Sequence, residues 1–410
     1  MMEDFVFKNQ KKLRKGITTG TCAAAAAKAA AAYLLCGIRK EQVQIMTPSG
    51  KVLKVSVNPV DSSLKGVDSA DDFNKSKDNT EFMVVKDSGD DPDVTDQAEV
   101  HVSIKKVDES FQPLNGMFQD EQNPGLFLDG GIGVGRVTKE GLEQPVGAAA
   151  INAVPRAMIF GAVNEVCRLA EFEGRLLITV SVPQGESLTK KTFNPMLGIE
   201  GGISILGTSG ILEPMSEKAI VDTIETLIRQ QHAMGKRDLL VTPGNYGQSY
   251  VAKYLDLPLE DSIKSSNYVG DTIDLAISYG MENFLLVGNL GKLVKLGAGI
   301  MNTHSKTADG RFEILSVHTV LCGGSREMVQ RLMECINTDQ ALELLEQWGL
   351  KEAVMNSLCQ KIEEHMERRS RGEIKSAVIL FSEKYGFLGQ TSHGKELLEL
   401  FRSNADKGQI

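Results

Sequence analysis

The spacing of hydrophobic and polar positions changes along this chain, and each change predicts a different kind of element. Residues 23–32 are all alanine except Lys28; the run is apolar on every side and built from the best helix former, so a helix is predicted. The turn Thr18-Thr19-Gly20-Thr21-Cys22 precedes it. A threonine there can cap orphan backbone N–H groups, and the helix start is a ready anion site. The alanine surface either buries the helix against a sheet or lets a flat ligand approach closely. Alternation over 42–46 and 51–57, around Thr47-Pro48-Ser49-Gly50, predicts a β-hairpin. Residues 81–86, 99–106, 175–182 and 203–206 read as further strands. Residues 157–172 carry Met158, Ile159, Val163, Val166 and Leu169 at helical spacing, with Pro155 suited to the first turn.

Beyond residue 207 the pattern becomes strand and helix in alternation. Helices are predicted at 216–232, 248–255, 271–279 and 292–300, and strands at 238–242, 283–287 and 377–381. The charged, heptad-like stretch 327–370 reads as covering helices, and His393-Gly394 opens a closing helix. Such alternation means a parallel sheet flanked by helices. A chain of 410 residues also exceeds one typical core. The expected architecture is therefore two domains: a mixed α+β domain over 1–198, then a three-layer parallel-sheet, Rossmann-like α/β domain over 199–410.

Charge narrows the partners. The formal net charge is −9, which argues against a general nucleic-acid binder; an anionic ligand must instead be met by local clusters of Lys, Arg and N–H groups. The six cysteines, at 22, 36, 167, 322, 335 and 359, form no C-x-x-C pair, so neither a zinc site nor a disulfide framework is indicated and a reducing cytoplasm fits best. The basic start followed by alanines resembles a secretory signal, but Lys28 interrupts it and alanine is a weak hydrophobe. No membrane partner is expected.

Several stretches carry candidate chemistry. Five carboxylates crowd Asp87-Ser88-Gly89-Asp90-Asp91-Pro92-Asp93-Val94-Thr95-Asp96, but calcium-loop spacing is missing, so a solvated turn is expected and no metal. Leu128-Asp129-Gly130-Gly131-Ile132-Gly133-Val134-Gly135-Arg136 mimics a dinucleotide fingerprint with Arg136 in place of the third glycine. It reads either as an N–H concavity for an anion, with Arg136 adding donors, or as a Gly-rich turn. Arg156 sits where an anion at its helix start could be gripped. Ligands collect at the carboxyl ends of parallel strands, which singles out 208–214, 243–247 and 288–292. The last resembles a phosphate loop but lacks Ser/Thr after Lys292, so ATP use is not supported. In Met301-Asn302-Thr303-His304-Ser305-Lys306, His304 is either a satisfied loop histidine or a group that orients substrate or handles a proton.

An ordered set of motifs then carries a resemblance. It comprises Arg14-Lys15-Gly16-Ile17-Thr18-Thr19-Gly20-Thr21-Cys22-Ala23, Gly89-Asp90-Asp91-Pro92-Asp93-Val94-Thr95, Gly131-Ile132-Gly133-Val134-Gly135-Arg136-Val137-Thr138 and Ala149-Ala150-Ile151-Asn152. It continues through Gly201-Gly202-Ile203-Ser204-Ile205-Leu206-Gly207-Thr208, Pro243-Gly244-Asn245 and Gly299-Ile300-Met301-Asn302-Thr303-His304-Ser305. Spanning nearly the whole chain, the set resembles the CbiD family, the cobalt-precorrin-5B C1-methyltransferases of anaerobic cobalamin synthesis. Gln97 stands where that family often has glycine, and Asn289 where histidine is common.

The resemblance implies transfer of a methyl group from S-adenosylmethionine to C-1 of cobalt-precorrin-5B, giving cobalt-precorrin-6A, with cobalt present only within the substrate. It supplies no well-defined catalytic side chain, and His304 is the candidate. The tetrapyrrole carboxylates are expected to meet Arg14, Lys15, Thr18, Thr19, Arg136, Arg156, Lys292 and Lys306. The donor is expected at Gly207, Thr208, Gly210, Gly244, Asn245, Gly247, Gly288, Asn289 and Gly291, with the Thr18–Thr21 turn and the Gly130–Arg136 loop facing the tetrapyrrole across a domain cleft. A non-catalytic tetrapyrrole carrier and a phosphoryl-transfer enzyme are the alternatives. Homo-oligomerisation and hand-over to other enzymes of the pathway stay open.

Overall fold

The computed structural model describes residues 4–8, 10–60, 79–255, 257, 259 and 262–406. The chain folds as two compact units, 1–216 and 217–410.

The first unit opens with a hairpin, β1 (Phe5–Lys8) and β2 (Lys11–Arg14), followed by β3 (Gly16–Ile17) and α1 (Thr19–Cys36). The side chain of Thr18 caps α1 by accepting the N–H of Thr21, and Gly37 ends it in the left-handed conformation, which glycine adopts without steric penalty. A second hairpin, β4 (Gln42–Met46) and β5 (Val52–Ser56), pairs as the alternation predicts. Then come β6 (Asn58–Pro59), β7 (Asn79–Val85), β8 (Glu99–Val107), β9 (Phe118–Gln119), β10 (Leu126–Gly130) and β11 (Arg136–Val137), α2 (Ala153–Leu169), β12 (Arg175–Ser181), α3 (Gly185–Thr189), β13 (Ile199–Glu200) and β14 (Ile211–Leu212). Six strands form one mixed sheet in the order β6-β7-β8-β12-β10-β9, in which only β10 and β12 run parallel.

Helix α1 lies against β7, β8 and α2. Its alanines are buried; a surface of methyl groups lets helix and sheet approach closely, so the sheet-packed reading of this helix holds. Lys28 escapes by reaching Gln44 O at 2.9 Å and Glu165 at 2.7 Å. The helix has the length and hydropathy of a membrane span, yet 83% of that window is buried inside the protein.

The unit boundary differs from the expected 198/199. Strand β13 pairs with β11 and β14 with β3, while Ile203 and Ile205 bridge Val134 and Ile151. These pairings complete backbone hydrogen bonding in the first unit, so residues 199–216 belong to it.

The second unit contains α4 (Glu217–Ala233), β15 (Asp238–Thr242), α5 (Asn245–Tyr250), β16 (Ile263–Lys264), α6 (Val269–Ser278), β17 (Asn283–Asn289) and α7 (Leu290–Leu293). A 3-10 turn, Val294–Ala298, replaces the longer helix expected over 292–300. After it come α8 (Arg311–Leu321), α9 (Arg326–Met333), α10 (Thr338–Gln347), α11 (Lys351–Ser370), β18 (Lys375–Ser382), β19 (Gly386–Gln390) and α12 (Gly394–Asp406). The sheet order is β16-β15-β17-β18-β19. Its first four strands are parallel, and β19, absent from the sequence reading, adds an antiparallel edge. The sheet is therefore mixed. Leu285, Val287, Ala377, Ile379 and Phe381 pack with Tyr250, Leu255, Leu397 and Phe401, while α11 lies against β18 and β19.

Candidate functional site

In the first unit the sequence-predicted residues are brought into one network, but a self-satisfied one. Thr21 Oγ1 donates to Gly210 O at 2.7 Å, Gly20 N donates to Leu206 O at 3.1 Å, and Thr19 Oγ1 accepts Leu206 N at 2.9 Å. Thr18, Thr19 and Thr21 are buried. The helix start that offered itself to an anion thus holds loop 206–210 instead.

The acidic loop is a hub rather than a solvated turn. Asp87 accepts from Nη1 and Nη2 of Arg14 at 2.5 and 2.7 Å, Asp90 accepts Arg14 N at 2.6 Å, Asp91 accepts Met215 N at 2.8 Å and Asp96 accepts Ser88 N at 2.9 Å. Asp93 pairs with the fully buried Lys86 at 2.8 Å. All five carboxylates have protein partners. The Arg14 guanidinium holds the Asp87 carboxyl below the usual range.

The other cations singled out from the sequence in this unit are also engaged. Lys15 lies 3.5 Å from Glu213. Arg136 pairs with Asp129 at 2.7 Å and donates to Gly130 O at 2.9 Å. Arg156 pairs with Glu143 at 3.2 Å, donates to Ile151 O and lies over the Phe118 ring at 4.3 Å. The Gly130–Arg136 loop is a close backbone packing, not an open concavity: a Cβ on Gly133 would sit 1.9 Å from Val182 O, and the N–H groups of Gly131, Val134 and Gly135 donate to Val180, Gly131 and Ile203.

In the second unit, loops from separate strands meet at the carboxyl edge of the sheet. Lys292 Nζ donates to Pro243 O at 3.1 Å, Lys264 Nζ to Asn245 Oδ1 at 3.0 Å, and Ser265 N to Thr242 O at 3.0 Å. Asn289 caps α7 by accepting Gly291 N at 2.8 Å, a backbone role that needs no titratable group. A Cβ built on Gly244 would meet nothing within 4 Å, so the loop presents an open face between its two lysine clips. By contrast Gly247 packs on Thr242 and Gly288 on Leu293. Thr242 Oγ1 and Ser265 Oγ are fully buried without a hydrogen-bond partner. Thr80 Oγ1 and Ser316 Oγ are in the same condition away from this edge, so orphaned hydroxyls do not by themselves mark the site.

Loop 299–306 joins the same edge. Gly270 N donates to Met301 O at 3.2 Å and Thr303 N to Asn267 O at 2.8 Å. Lys295 Nζ donates to Thr303 O at 3.0 Å. His304 Nδ1 accepts Lys306 N at 3.0 Å; a ring nitrogen that accepts is unprotonated, so the neutral ring carries its hydrogen on Nε2. Lys306 is exposed. Of the expected donor residues, Gly244, Asn245, Gly247, Gly288, Asn289 and Gly291 gather here. Gly207, Thr208 and Gly210 lie in the first unit, with Gly207 against Thr18 and Gly210 against Thr47 and Thr21. Lys264, Asn267 and Lys295 were not singled out from the sequence; a lysine inside the apolar run Leu293-Val294-Lys295-Leu296 was the one signal available.

Thiol chemistry is disfavoured at the most deeply buried cysteines. Burial pushes Cys22 and Cys359 up to about 12 and Cys167 up to about 11, leaving these groups protonated and unreactive. Among the described residues no cluster of His, Cys, Asp and Glu is arranged to hold a metal.

The family profile described as CbiD matches residues 6–214, and that described as CbiD, C-terminal domain, matches 302–392. A Ruminiclostridium cellulolyticum protein named cobalt-precorrin-5B C(1)-methyltransferase is 40% identical, covering 99% of this chain and 100% of its own. Proteins of the same name from Alkaliphilus metalliredigens and Clostridioides difficile are 39% and 34% identical, over 100% and 98% of this chain and all of theirs. The crystal structure of a cobalamin biosynthesis protein (cbiD) from Archaeoglobus fulgidus is 28% identical, covers 75% of this chain and 87% of its own, and superposes with a TM-score of 0.38.

Proposed function

We propose, since the chain belongs to the CbiD family, that it transfers a methyl group to C-1 of cobalt-precorrin-5B, with S-adenosylmethionine as donor and cobalt-precorrin-6A as product. The observation that carries this reading is full-length identity of 34–40% to proteins named for that reaction. Neither a carrier nor a phosphoryl-transfer enzyme draws support from those names.

The residues at the carboxyl edge of the second sheet fit an adenosyl amino-acid donor. The open face of Gly244 and the clips from Lys264 and Lys292 match a ligand bearing a carboxylate and hydroxyl groups. The parallel order β16-β15-β17-β18, with helices packed on it, supports reading this unit as Rossmann-like, and ligands of such sheets bind at this edge. Once bound, the sulfonium supplies its own leaving group, so the displacement demands placement and exclusion of water rather than a nucleophilic side chain. In this reading 243–247 and 288–291 orient the donor, while Lys292 faces its carboxylate. His304 donates through Nε2–H to the substrate, as its tautomer allows. The family's setting in cobalamin synthesis supports a cytoplasmic location.

The test is anaerobic incubation with cobalt-precorrin-5B and methyl-labelled S-adenosylmethionine, with the new methyl located by NMR. Label at C-1 is the expected result. Tight corrinoid binding without transfer would replace the enzyme by a carrier.

A further inference from the structure

Among the described residues two lysines are buried, Lys86 and Lys295, and the two are treated differently. Lys86 is matched: its ammonium meets the Asp93 carboxylate at 2.8 Å and Ser88 Oγ at 2.6 Å. Lys295 is also only 2% exposed, but its hydrogen-bond partner is a neutral group, Thr303 O at 3.0 Å. No carboxylate of the described residues forms an ion pair with it. Burial pushes Lys295 below the ordinary lysine range, with the Arg311 charge adding to this and Asp309 opposing it; Asp309 is itself engaged by Arg311 at 2.6 and 3.0 Å. Removing an ammonium from water without a carboxylate destabilises a fold. Such a group is expected where it serves a site rather than the core.

What the lysine holds is the 301–304 segment. Thr303 is fastened on one side by its N–H to Asn267 O at 2.8 Å and on the other by its carbonyl to Lys295. His304 follows directly, and its ring is fixed by Lys306 N. Gly299, in the left-handed conformation at φ +72°, turns the chain back between the lysine and the segment it grips.

We propose that Lys295 is a positioning residue for methyl transfer: its buried ammonium, through the Thr303 carbonyl, sets the 301–304 segment and with it the His304 ring. This rests on the reading that the carboxyl edge of the second sheet is the reaction site. The lysine touches no substrate. It works by keeping a backbone carbonyl, which would otherwise turn toward water, pointed inward.

The test compares wild type, Lys295→Met and Lys295→Arg by three measurements: thermal unfolding, hydrogen exchange of the peptide covering 299–307, and steady-state methyl transfer under anaerobic conditions. Lys295→Met is expected to unfold at or above the wild-type temperature, to exchange that peptide about tenfold faster, and to lose about tenfold or more in kcat with KM little changed. Lys295→Arg, which keeps the charge, is expected to recover part of both the protection and the rate. A Met variant that is destabilised or unfolded overturns the proposal, because the lysine would then serve the core. Wild-type exchange and rate in the Met variant overturn it as well. If the wild type itself transfers no methyl group, the functional reading fails, while the exchange measurement still decides whether Lys295 sets the segment.

Discussion

The ammonium of Lys292 lies 3.1 Å from the carbonyl oxygen of Pro243, so one charged group ties the loop after β17 to the loop after β15. Burial, with the neighbouring Lys295 charge second, pushes Lys292 below the ordinary lysine range. Between that lowered value and about 10.4 the unfolded chain binds more protons than the folded one, so this group makes stability rise with pH in that window and destabilises below it. Lys292→Met is therefore expected to hold or raise the unfolding temperature at pH 7, to flatten the alkaline rise, and to weaken S-adenosylmethionine binding about tenfold. Calorimetry across pH with titration of the donor checks both. A lowered unfolding temperature with intact donor affinity would make Lys292 structural.

Two glycines of the expected donor set should respond oppositely to a side chain. A Cβ at Gly244 meets nothing within 4 Å, whereas at Gly207 it falls 2.4 Å from Thr18 with φ at +133°. Gly244→Val should fold like wild type and lose donor affinity by about tenfold or more, since the new group fills the open face. Gly207→Ala should destabilise the first unit by about 2 kcal/mol or more through overpacking and backbone strain. Donor titration on the folded variants, beside urea unfolding, separates the two effects; normal donor binding by Gly244→Val removes that loop from the site.

The pairing of Lys86 with Asp93 gives the first unit an acid-sensitive link. Burial alone would raise the Asp93 carboxyl, but the Lys86 charge and the hydrogen bonds from Lys86 and Thr95 lower it below its ordinary value. Stability from this pair is present above about pH 4 and is lost as pH falls through the lowered value. Asp93→Asn leaves the ammonium buried without a charge partner and should destabilise by about 3–5 kcal/mol at pH 7. The same substitution should matter less at an acid pH low enough to protonate Asp93 in the wild type. Urea unfolding at both values measures it, and an equal loss at both pH values would deny the charge its role.

His304 offers a narrower test of role. Its Nδ1 is occupied by Lys306 N, so taking up a proton there breaks that bond, while donating from Nε2 leaves it intact. Gln places an N–H near the Nε2 position. His304→Gln should keep within about tenfold of wild-type turnover and His304→Ala should fall about a hundredfold. If Gln is as inactive as Ala, proton transfer at the ring replaces hydrogen-bond donation as its function.

What the sequence made legible was local. The alanine run implied a helix because alanine is the best helix former, and strand-helix alternation implied the parallel order at the second unit's sheet. The acidic loop was misread as solvated because its partners are remote: Arg14 is 73 positions from Asp87, and Met215 is 124 from Asp91. The 207–210 loop was grouped with the second unit because its preceding residues looked like another strand of the alternation. Their pairing is through isolated bridges to Val134 and Ile151, which no local pattern announces. Lys264 and Lys295 belong to no motif, and only the apolar run around the latter sets it apart in the sequence.

Gln97 carries the last prediction. Its φ is +61°, in the region where a Cβ crowds the following carbonyl at about 1–2 kcal/mol. The chain there turns from β7 to β8: Lys86 N donates to Ala98 O and Gln97 N to Lys86 O, both at 2.9 Å, so the turn fixes this conformation whatever the side chain. The amide of Gln97 returns little, since its contacts to Lys86 O and Asp96 Oδ1 are each 3.5 Å long, at the weak limit of hydrogen bonding. Glycine would remove the steric penalty but lose more freedom on folding, about 0.5–1 kcal/mol, leaving Gln97→Gly more stable by about 0.5–1 kcal/mol. Gln97→Ala, which keeps the Cβ and discards only the amide, should stay within about 0.5 kcal/mol of wild type. Urea unfolding of the three proteins ranks them directly. A glycine variant less stable than wild type would mean that the long amide contacts, and not the backbone turn, hold Gln97 in place.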